Sequence, residues 1–462
     1  MNEPLPWLQP ALSYIDGWLG YQMRATQQPG CAVAISHDGR IVFESAWGTA
    51  DLRTGEQLTP RHRFRVASHS KTFTATGLMK LREAGKVSLD DRVGRFVSGV
   101  HPQVATVTIG QLLSNTSGMF RDGMESSYWT GDREFPDQGS LRRDFELPPT
   151  VEAGSRLKYS NHGFGLAGLV IEAIVKEPYV AWIQREIVTP AGLQETTPEI
   201  SEEAKLRLAC GHSGRTLLGR RLTFPGGNST GALAAATGFV STAADLCKFF
   251  SQLSPSAQSS LLSPVSRHEM THAIWLDSHS LIERGYGLGT ISGTHKKWQW
   301  FGHNGAFPGY ITRTAVVPAQ SIAVSVLTNA SDGKAQECVD GILNILQRFH
   351  AAPPAVDSLE DWSGRWWSVF GTMDLVVLGD TIFVAIPDQT DPFDKVQELA
   401  LIGPDEARVV AASGFAHYGE TVRLERDRDG QVIAVHTAGL RWSRESDLAK
   451  SLLARYDHPP PA

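Results

Sequence analysis

The chain has 462 residues, 41% of them hydrophobic and 20% charged, with 44 Gly and 25 Pro. That length predicts two or three domains, and the globular composition excludes a low-complexity or fibrous protein. A formal net charge of −6 without a basic stripe excludes nucleic acid as the expected partner, and no apolar stretch approaches the ~20 residues that span a bilayer.

The opening run MNEPLPWLQPALSYIDGWLGYQM has neither a basic start nor a continuous apolar core, so it does not read as a signal peptide. Leu8, Leu12, Ile15, Leu19 and Met23 recur at helical spacing and predict an amphipathic first helix. CAVAISHDGRIVFESAWG reads as a hairpin that turns at Asp38-Gly39. From about residue 70 to 250 the pattern is mainly helical, in TFTATGLMKLREAG, TIGQLLSNTSG, GFGLAGLVIEAIVKE and TAADLCKFFSQL. Gly85 is suited to close the first of these. Strand-like runs return at GYITRTAVVP and SIAVSVLTN, before the helix CVDGILNILQRF. This order predicts an α+β domain over residues 1–350, one antiparallel sheet from both ends of the segment packed on a helical middle.

Residues 351–357, within HAAPPAVD, read as a linker. Beyond it, short alternating runs (MDLVVL, TIFVAI, ARVVAA, TVRLERD, VIAVHT) predict an all-β domain over 358–462, a barrel. Cys31, Cys210, Cys247 and Cys338 are far apart with apolar neighbours, and read as buried free thiols in a reducing compartment. A soluble cytoplasmic protein is the expectation, and the sequence leaves open whether it forms a homo-oligomer.

Three stretches carry chemistry. In FRVASHSKTF, Ser68 precedes a helical pattern and Lys71 follows three residues on, on the same face. A serine at a helix start has free N–H groups near it for an oxyanion, and a desolvated lysine can act as its base. In RLKYSNHGFG, Tyr159 could carry a proton to a leaving group, and Asn161 could orient the lysine or a substrate carbonyl. In WFGHNGAFPGY, His303-Asn304-Gly305 enters a strand, where the glycine admits a substrate backbone and Ala306 can offer an oxyanion N–H. Singly, each also reads as an ordinary cap, loop or turn.

A fourth stretch, SRHEMTHAIW, places His268, Glu269 and His272 in the H-E-x-x-H spacing of zinc peptidases. A third ligand is missing: Trp275 and Ser278 stand where the extended pattern needs Gly and His, and His279 is one residue out of register. Asp277 and Glu283 are too near to lie on a separate helix. The expectation is two solvated histidines and no metal.

Together, the first three motifs resemble the S-x-x-K, Y-x-N and K-[ST]-G set of serine β-lactamases and penicillin-binding proteins. The resemblance covers about residues 15–350, including LLSNTSG, TGFVSTAADLCKFF and GYGLG, and is closest to the class C β-lactamase-like branch with its D-aminopeptidases, amidases and esterases. It implies Ser68 as the acylated nucleophile, Lys71 and Tyr159 as the proton-transfer pair, and Asn161 in support. The N–H groups of Ser68 and Ala306 would form the oxyanion hole, and no cofactor is implied. His303 would stand where the third motif has lysine, which weakens attraction for a carboxylate. Arg313 could restore a cation if it faces the site. The segment beginning WSGRWW resembles the lipocalin-like barrels appended to D-aminopeptidases.

The function expected is hydrolysis of short peptides or amides, including D-residue ones, through an acyl-enzyme. Alternatives are an esterase of short-chain or secondary-metabolite esters, a penicillin-binding-type thioesterase that cyclises peptides, and a sensor that acylates without turnover. In the resembled two-domain peptidases the barrel reaches towards the site. The tip Gly414–Gly419, with His417 and Tyr418, is the segment that would do so here, and it reads equally as an ordinary hairpin turn.

Overall fold

A computed structural model describes residues 5–216, 218–278, 284–353, 356–413, 415 and 417–457. Contacts divide the chain into two compact units, Gln27–Val339 and Met1–Thr26 with Asp340–Ala462.

The larger unit is built on a nine-stranded antiparallel sheet. Its strands are β1 (Gly30–His37), β2 (Arg40–Asp51), β3 (Glu56–Gln57), β4 (Trp275–Leu276), β5 (Arg284–Tyr286), β6 (Ile291–His295), β7 (Trp298–Phe307), β8 (Tyr310–Val317) and β9 (Ile322–Thr328). Their order is β3-β2-β1-β9-β8-β7-β6-β5-β4, so both ends of the segment meet at the β1–β9 pair, Cys31 to His37 against Thr328 to Ile322. The hairpin between β1 and β2 turns at Asp38 and Gly39, with φ of 49° and 72°, the left-handed pair that such a turn requires. All seven β9 residues are buried, which is why SIAVSVLTN reads as a continuous apolar run instead of an alternating one.

The helical middle covers that sheet. Helix α1 (Leu8–Thr26) belongs to the other unit; α2 (Ser70–Glu83), α3 (Asn161–Val175), α4 (Ala243–Gln252) and α5 (Pro264–Thr271) belong to this one. Phe73 of α2 stacks between Phe239 and Phe249, with ring centres 4.2 and 3.8 Å away. Cys247 of α4 lies on the sheet, its thiol 3.2 Å from the Ala34 carbonyl. Cys31, Cys247 and Cys338 are buried and Cys210 is half-buried, all as free thiols.

The smaller unit is a closed barrel of eight antiparallel strands: Gly364–Ser368, Gly371–Leu378, Thr381–Ala385, Gln397–Gly403, Glu406–Ala411, Thr421–Arg426, Val432–Thr437 and Leu440–Ser443. Alternate side chains, among them Trp366, Met373, Leu375, Leu399 and Val409, form its core. Helix α1 docks here: Trp18 donates its indole N–H to the Gln389 carbonyl at 3.3 Å, and Gln22 donates to the Pro387 carbonyl at 2.6 Å. A last helix, Glu445–Tyr456, has no buried residue. Among the described residues no helix is long and apolar enough to cross a membrane.

Candidate active site

Ser68 stands in the single 3₁₀ turn Ala67–His69 that runs into α2. Ala67 is held at φ 47°, a left-handed conformation costly for a residue with a Cβ and found where the surroundings enforce it. Those surroundings are visible. The Val66 N–H donates to the Phe239 carbonyl at 3.1 Å, and the His69 ring is wedged between the Val66 carbonyl at 2.9 Å and the Thr314 hydroxyl at 3.0 Å.

Lys71, on the first turn of α2, is fully buried. Its Nζ lies 3.1 Å from Ser68 Oγ, 2.6 Å from Asn161 Oδ1 and 2.9 Å from the Ala236 carbonyl. It also faces the Tyr159 ring at 4.7 Å and the Phe164 ring at 5.6 Å. Burial holds its ammonium well below the usual lysine range; Asp122 works against that shift and Arg121 adds to it. Tyr159 presents its hydroxyl to Ser68, and burial pushes its phenol up, so it keeps its proton.

Asn161 opens α3 and is buried. The helix starts there because Ser160 caps it, its hydroxyl accepting from the Gly163 N–H at 2.8 Å. The preceding strand of loop is pinned by Asn115, whose Oδ1 accepts from the Ser160 N–H at 2.9 Å and whose carbonyl accepts from the Lys158 N–H at 2.7 Å. Those two bonds fix the backbone on either side of Tyr159.

The third motif lies on β7. The β6–β7 ladder ends at the Ile291–Gly302 pair, whereas the β7–β8 ladder continues to Phe307–Tyr310. Among the described residues the β6 side of 303–307 is therefore an open strand edge, with Ala306 exposed on it. Gly305 has a more local cause than admitting a substrate: a Cβ there would stand 2.2 Å from the Val66 carbonyl and 2.3 Å from the Thr312 hydroxyl. The glycine lets β7 lie against the turn that carries Ser68. Asn304 is half-buried, with its Nδ2 3.4 Å from Gln336 Oε1.

His303 is buried, with its Nδ1 2.7 Å from the Asn304 carbonyl and its Nε2 3.1 Å from the Tyr286 hydroxyl. Burial, then His69 and Lys71, push its imidazolium well below the usual histidine range. It brings no cation to the site. Arg313 does line the cleft, with its guanidinium 4.8 Å over the Trp300 ring and its Nη1 donating to the Gln336 carbonyl at 3.3 Å.

Ser68, Tyr159, Asn161 and residues 303–306 thus line one cleft of about 750 Å³. Arg121, Asp122, Trp129 and Tyr286 line it too, and none of the three motifs includes them. Tyr286 lay inside GYGLG, but no spacing rule marks its hydroxyl, and Asp122 follows SNTSG in a loop without periodicity.

The H-E-x-x-H residues are elsewhere. Helix α5 stops at Thr271, and His272 is already extended, with ψ of 137°. His268 and His272 are exposed with rings 5.7 Å apart, and Glu269 is taken by an ion pair with Arg82. His279 and Glu283 lie outside the described residues, as do Gly414 and Ala416 of the barrel tip. Among the described residues no group of three His, Cys, Asp or Glu side chains could hold a metal ion.

A serine and a buried lysine at one helix start, facing a tyrosine, an asparagine and an open strand edge, define the serine hydrolases of the S-x-x-K type. A family model described as Beta-lactamase matches residues 15–348, and the chain belongs to that family. It is similar to penicillin-binding protein 4 of Amycolatopsis lactamdurans, 29% identical over 315 residues, 65% of this chain and 81% of that protein. Protein flp of Staphylococcus aureus (strain NCTC 8325 / PS 47) is 27% identical over 188 residues, 40% of this chain; the match spans 37% of that protein's length. Two solved structures share the fold. An octameric penicillin-binding protein homologue from Pyrococcus abyssi has a TM-score of 0.65 at 23% identity, covering 94% of this chain and 99% of that one. The D-amino acid amidase of Ochrobactrum anthropi SV3 complexed with L-phenylalanine has a TM-score of 0.64 at 23% identity, covering 72% and 98%.

Proposed function

We propose that this protein hydrolyses short peptides or amides, D-residue ones included, through an acyl-enzyme on Ser68. The observation that carries the reading is the set of partners around Lys71. Asn161 Oδ1 and the Ala236 carbonyl can only accept, and a neutral amine has two N–H donors to give them. The lone pair is left for the third partner, Ser68 Oγ. Burial favours that neutral form.

The chemistry follows. Lys71 takes the Ser68 proton as Oγ attacks the carbonyl carbon, and the N–H groups of Ser68 and Ala306 receive the oxyanion. Tyr159 then gives its proton to the departing amine, and the Lys71 ammonium restores it, leaving the acyl group on Ser68. Water attacks in the second half, giving up its proton along the same path in reverse. An extended substrate would add its backbone to the open edge of β7, a mode that suits a peptide better than a simple ester. The neighbouring D-amino acid amidase supports an amide with a D-residue as the first substrate to try.

A panel tests this: D- and L-aminoacyl anilides, D-Ala-terminated peptides, p-nitrophenyl esters, a peptidyl thioester and a chromogenic cephalosporin. Turnover of an amide above every ester is expected. Turnover confined to esters, or to the thioester with cyclic product, would replace the reading, and a burst without release would make the protein a sensor. The four unpaired thiols support action in a reducing cytoplasm. The octameric homologue supports a homo-oligomer, to be read by sedimentation.

A further inference from the structure

The Asn161 amide touches Lys71 and could present it with either an acceptor or a donor. Its orientation is decided on its far side. There Asn161 Nδ2 donates to Asp122 Oδ1 at 2.6 Å, and a carboxylate can only accept, so Oδ1 must face Lys71. Asp122 is itself held: Trp129 donates its indole N–H to Oδ1 at 3.1 Å, and Arg121 Nε donates to Oδ2 at 3.0 Å. The loop carrying both residues is sewn to the start of α3. The Arg121 carbonyl accepts the N–H groups of Asn161 and His162 at 2.9 and 3.2 Å, and the Ser160 hydroxyl donates to the Phe120 carbonyl at 2.6 Å. Gly123 completes the turn at φ 80°, where a Cβ would stand 2.8 Å from Asp144 Oδ2. The Arg121 guanidinium, finally, lies 5.5 Å over the Tyr159 ring, which also faces Lys71.

We propose that Arg121 and Asp122 form a positioning pair that sets the orientation of the Asn161 amide and the balance of charge at Lys71, and so the pH range in which Ser68 is acylated. The inference rests on the serine-hydrolase reading above. Among the described residues, the charged and titratable groups facing Lys71 are Asp122 and Arg121 from the loop, Tyr159 beside them, and His303 from β7. Tyr159 keeps its proton and His303 stays neutral, so the opposed charges of the pair are what bias the amine. The Asp122 carboxylate favours the ammonium, and the Arg121 guanidinium opposes it.

The test is the rate of Ser68 modification by a fluorophosphonate across the pH range, in the full chain and in three variants. No substrate need be known. Attack of Ser68 Oγ on the phosphorus, with loss of fluoride, quickens as Lys71 loses its proton, as its attack on a carbonyl would. Asp122→Asn removes the charge that favours the ammonium, so the rise should move to lower pH, with a reduced plateau because the Asn161 amide can now turn over. Arg121→Gln should move it to higher pH, and Asp122→Glu should leave it near the wild-type position. Shifts of at least about 0.5 pH unit in opposite directions are expected for removing opposite charges beside one amine. Both shifting the same way, or a plateau that falls with no shift, would overturn the pair and leave an ordinary structural role. Arg121 is two-thirds exposed, so its variant keeps the test alive should Asp122→Asn not fold. Failure of the wild-type chain to be labelled at Ser68 would instead sink the serine reading itself.

Discussion

The Tyr286 hydroxyl is hydrogen-bonded to Nε2 of His303. The two atoms are 3.1 Å apart, and the other ring nitrogen of His303 must carry its own hydrogen because it faces the Asn304 carbonyl at 2.7 Å. Burial disfavours the imidazolium, so His303 is a neutral imidazole in one tautomer, held at both ends. In this family's third motif a lysine would stand there as a permanent cation.

A neutral His303 predicts that a carboxylate-bearing substrate gains no affinity on mild acidification. KM for a chromogenic cephalosporin, or its inhibition constant if it is not turned over, should track that of a neutral ester between about pH 8 and pH 6. A selective gain for the anion with a midpoint near 6.5, the usual histidine value, would show that His303 titrates after all.

Lys71 must be neutral to take the Ser68 proton, and burial lowers its pKa from the ordinary 10.5. Acylation should therefore be lost as pH falls through that lowered value, and be fully present well below pH 10. Tyr159, shifted upward, contributes no alkaline loss in that range. Lys71→Ala should slow acylation by at least ~10³-fold, because such groups act as a unit. An acid limb absent from the wild-type profile would contradict the base assignment.

Much of the candidate site's arrangement was legible in the sequence. Ser68 and Lys71 lie one helical turn apart, Tyr159 and Asn161 flank a cap, and each spacing carries its own geometry. Asp122 and Tyr286 were not legible, since each meets the site through a hydrogen bond to a partner 39 or 17 residues away. The glycine of the third motif was legible as a close approach, but the neighbour proved to be Val66 of the same chain. In the barrel, five alternating runs announced their strands. Gln397–Gly403 and Leu440–Ser443 did not, for each buries a single residue. Helix α1 was legible as amphipathic, but periodicity cannot say which body its apolar face meets.

His69 should make the fold acid-sensitive. Its pKa is lowered by burial to about 4, against 6.5 when unfolded. The unfolded chain thus binds the proton first, and stability is lost as pH falls from 6.5 towards 4. The loss attributable to this one group is about 3 kcal/mol. Urea titrations of His69→Gln should show a correspondingly flatter pH dependence, and an unchanged slope would contradict it.

In the barrel, Arg365 grips Asp374 through two bonds of 2.7 and 2.8 Å, and Asp374 is 3% exposed. Removing one partner of a buried pair strands the other. Arg365→Ala should destabilise the barrel by about 3–5 kcal/mol. A denaturation midpoint within error of the wild type would show that the pair adds nothing.

The most direct measurement is the intact mass of the protein quenched during turnover of its best amide, followed by mapping of the modified peptide. An acyl adduct on Ser68, absent in Ser68→Ala together with all hydrolysis, is the predicted result. Hydrolysis by Ser68→Ala above roughly a tenth of the wild-type rate, far more than the loss of a nucleophile allows, would contradict the account.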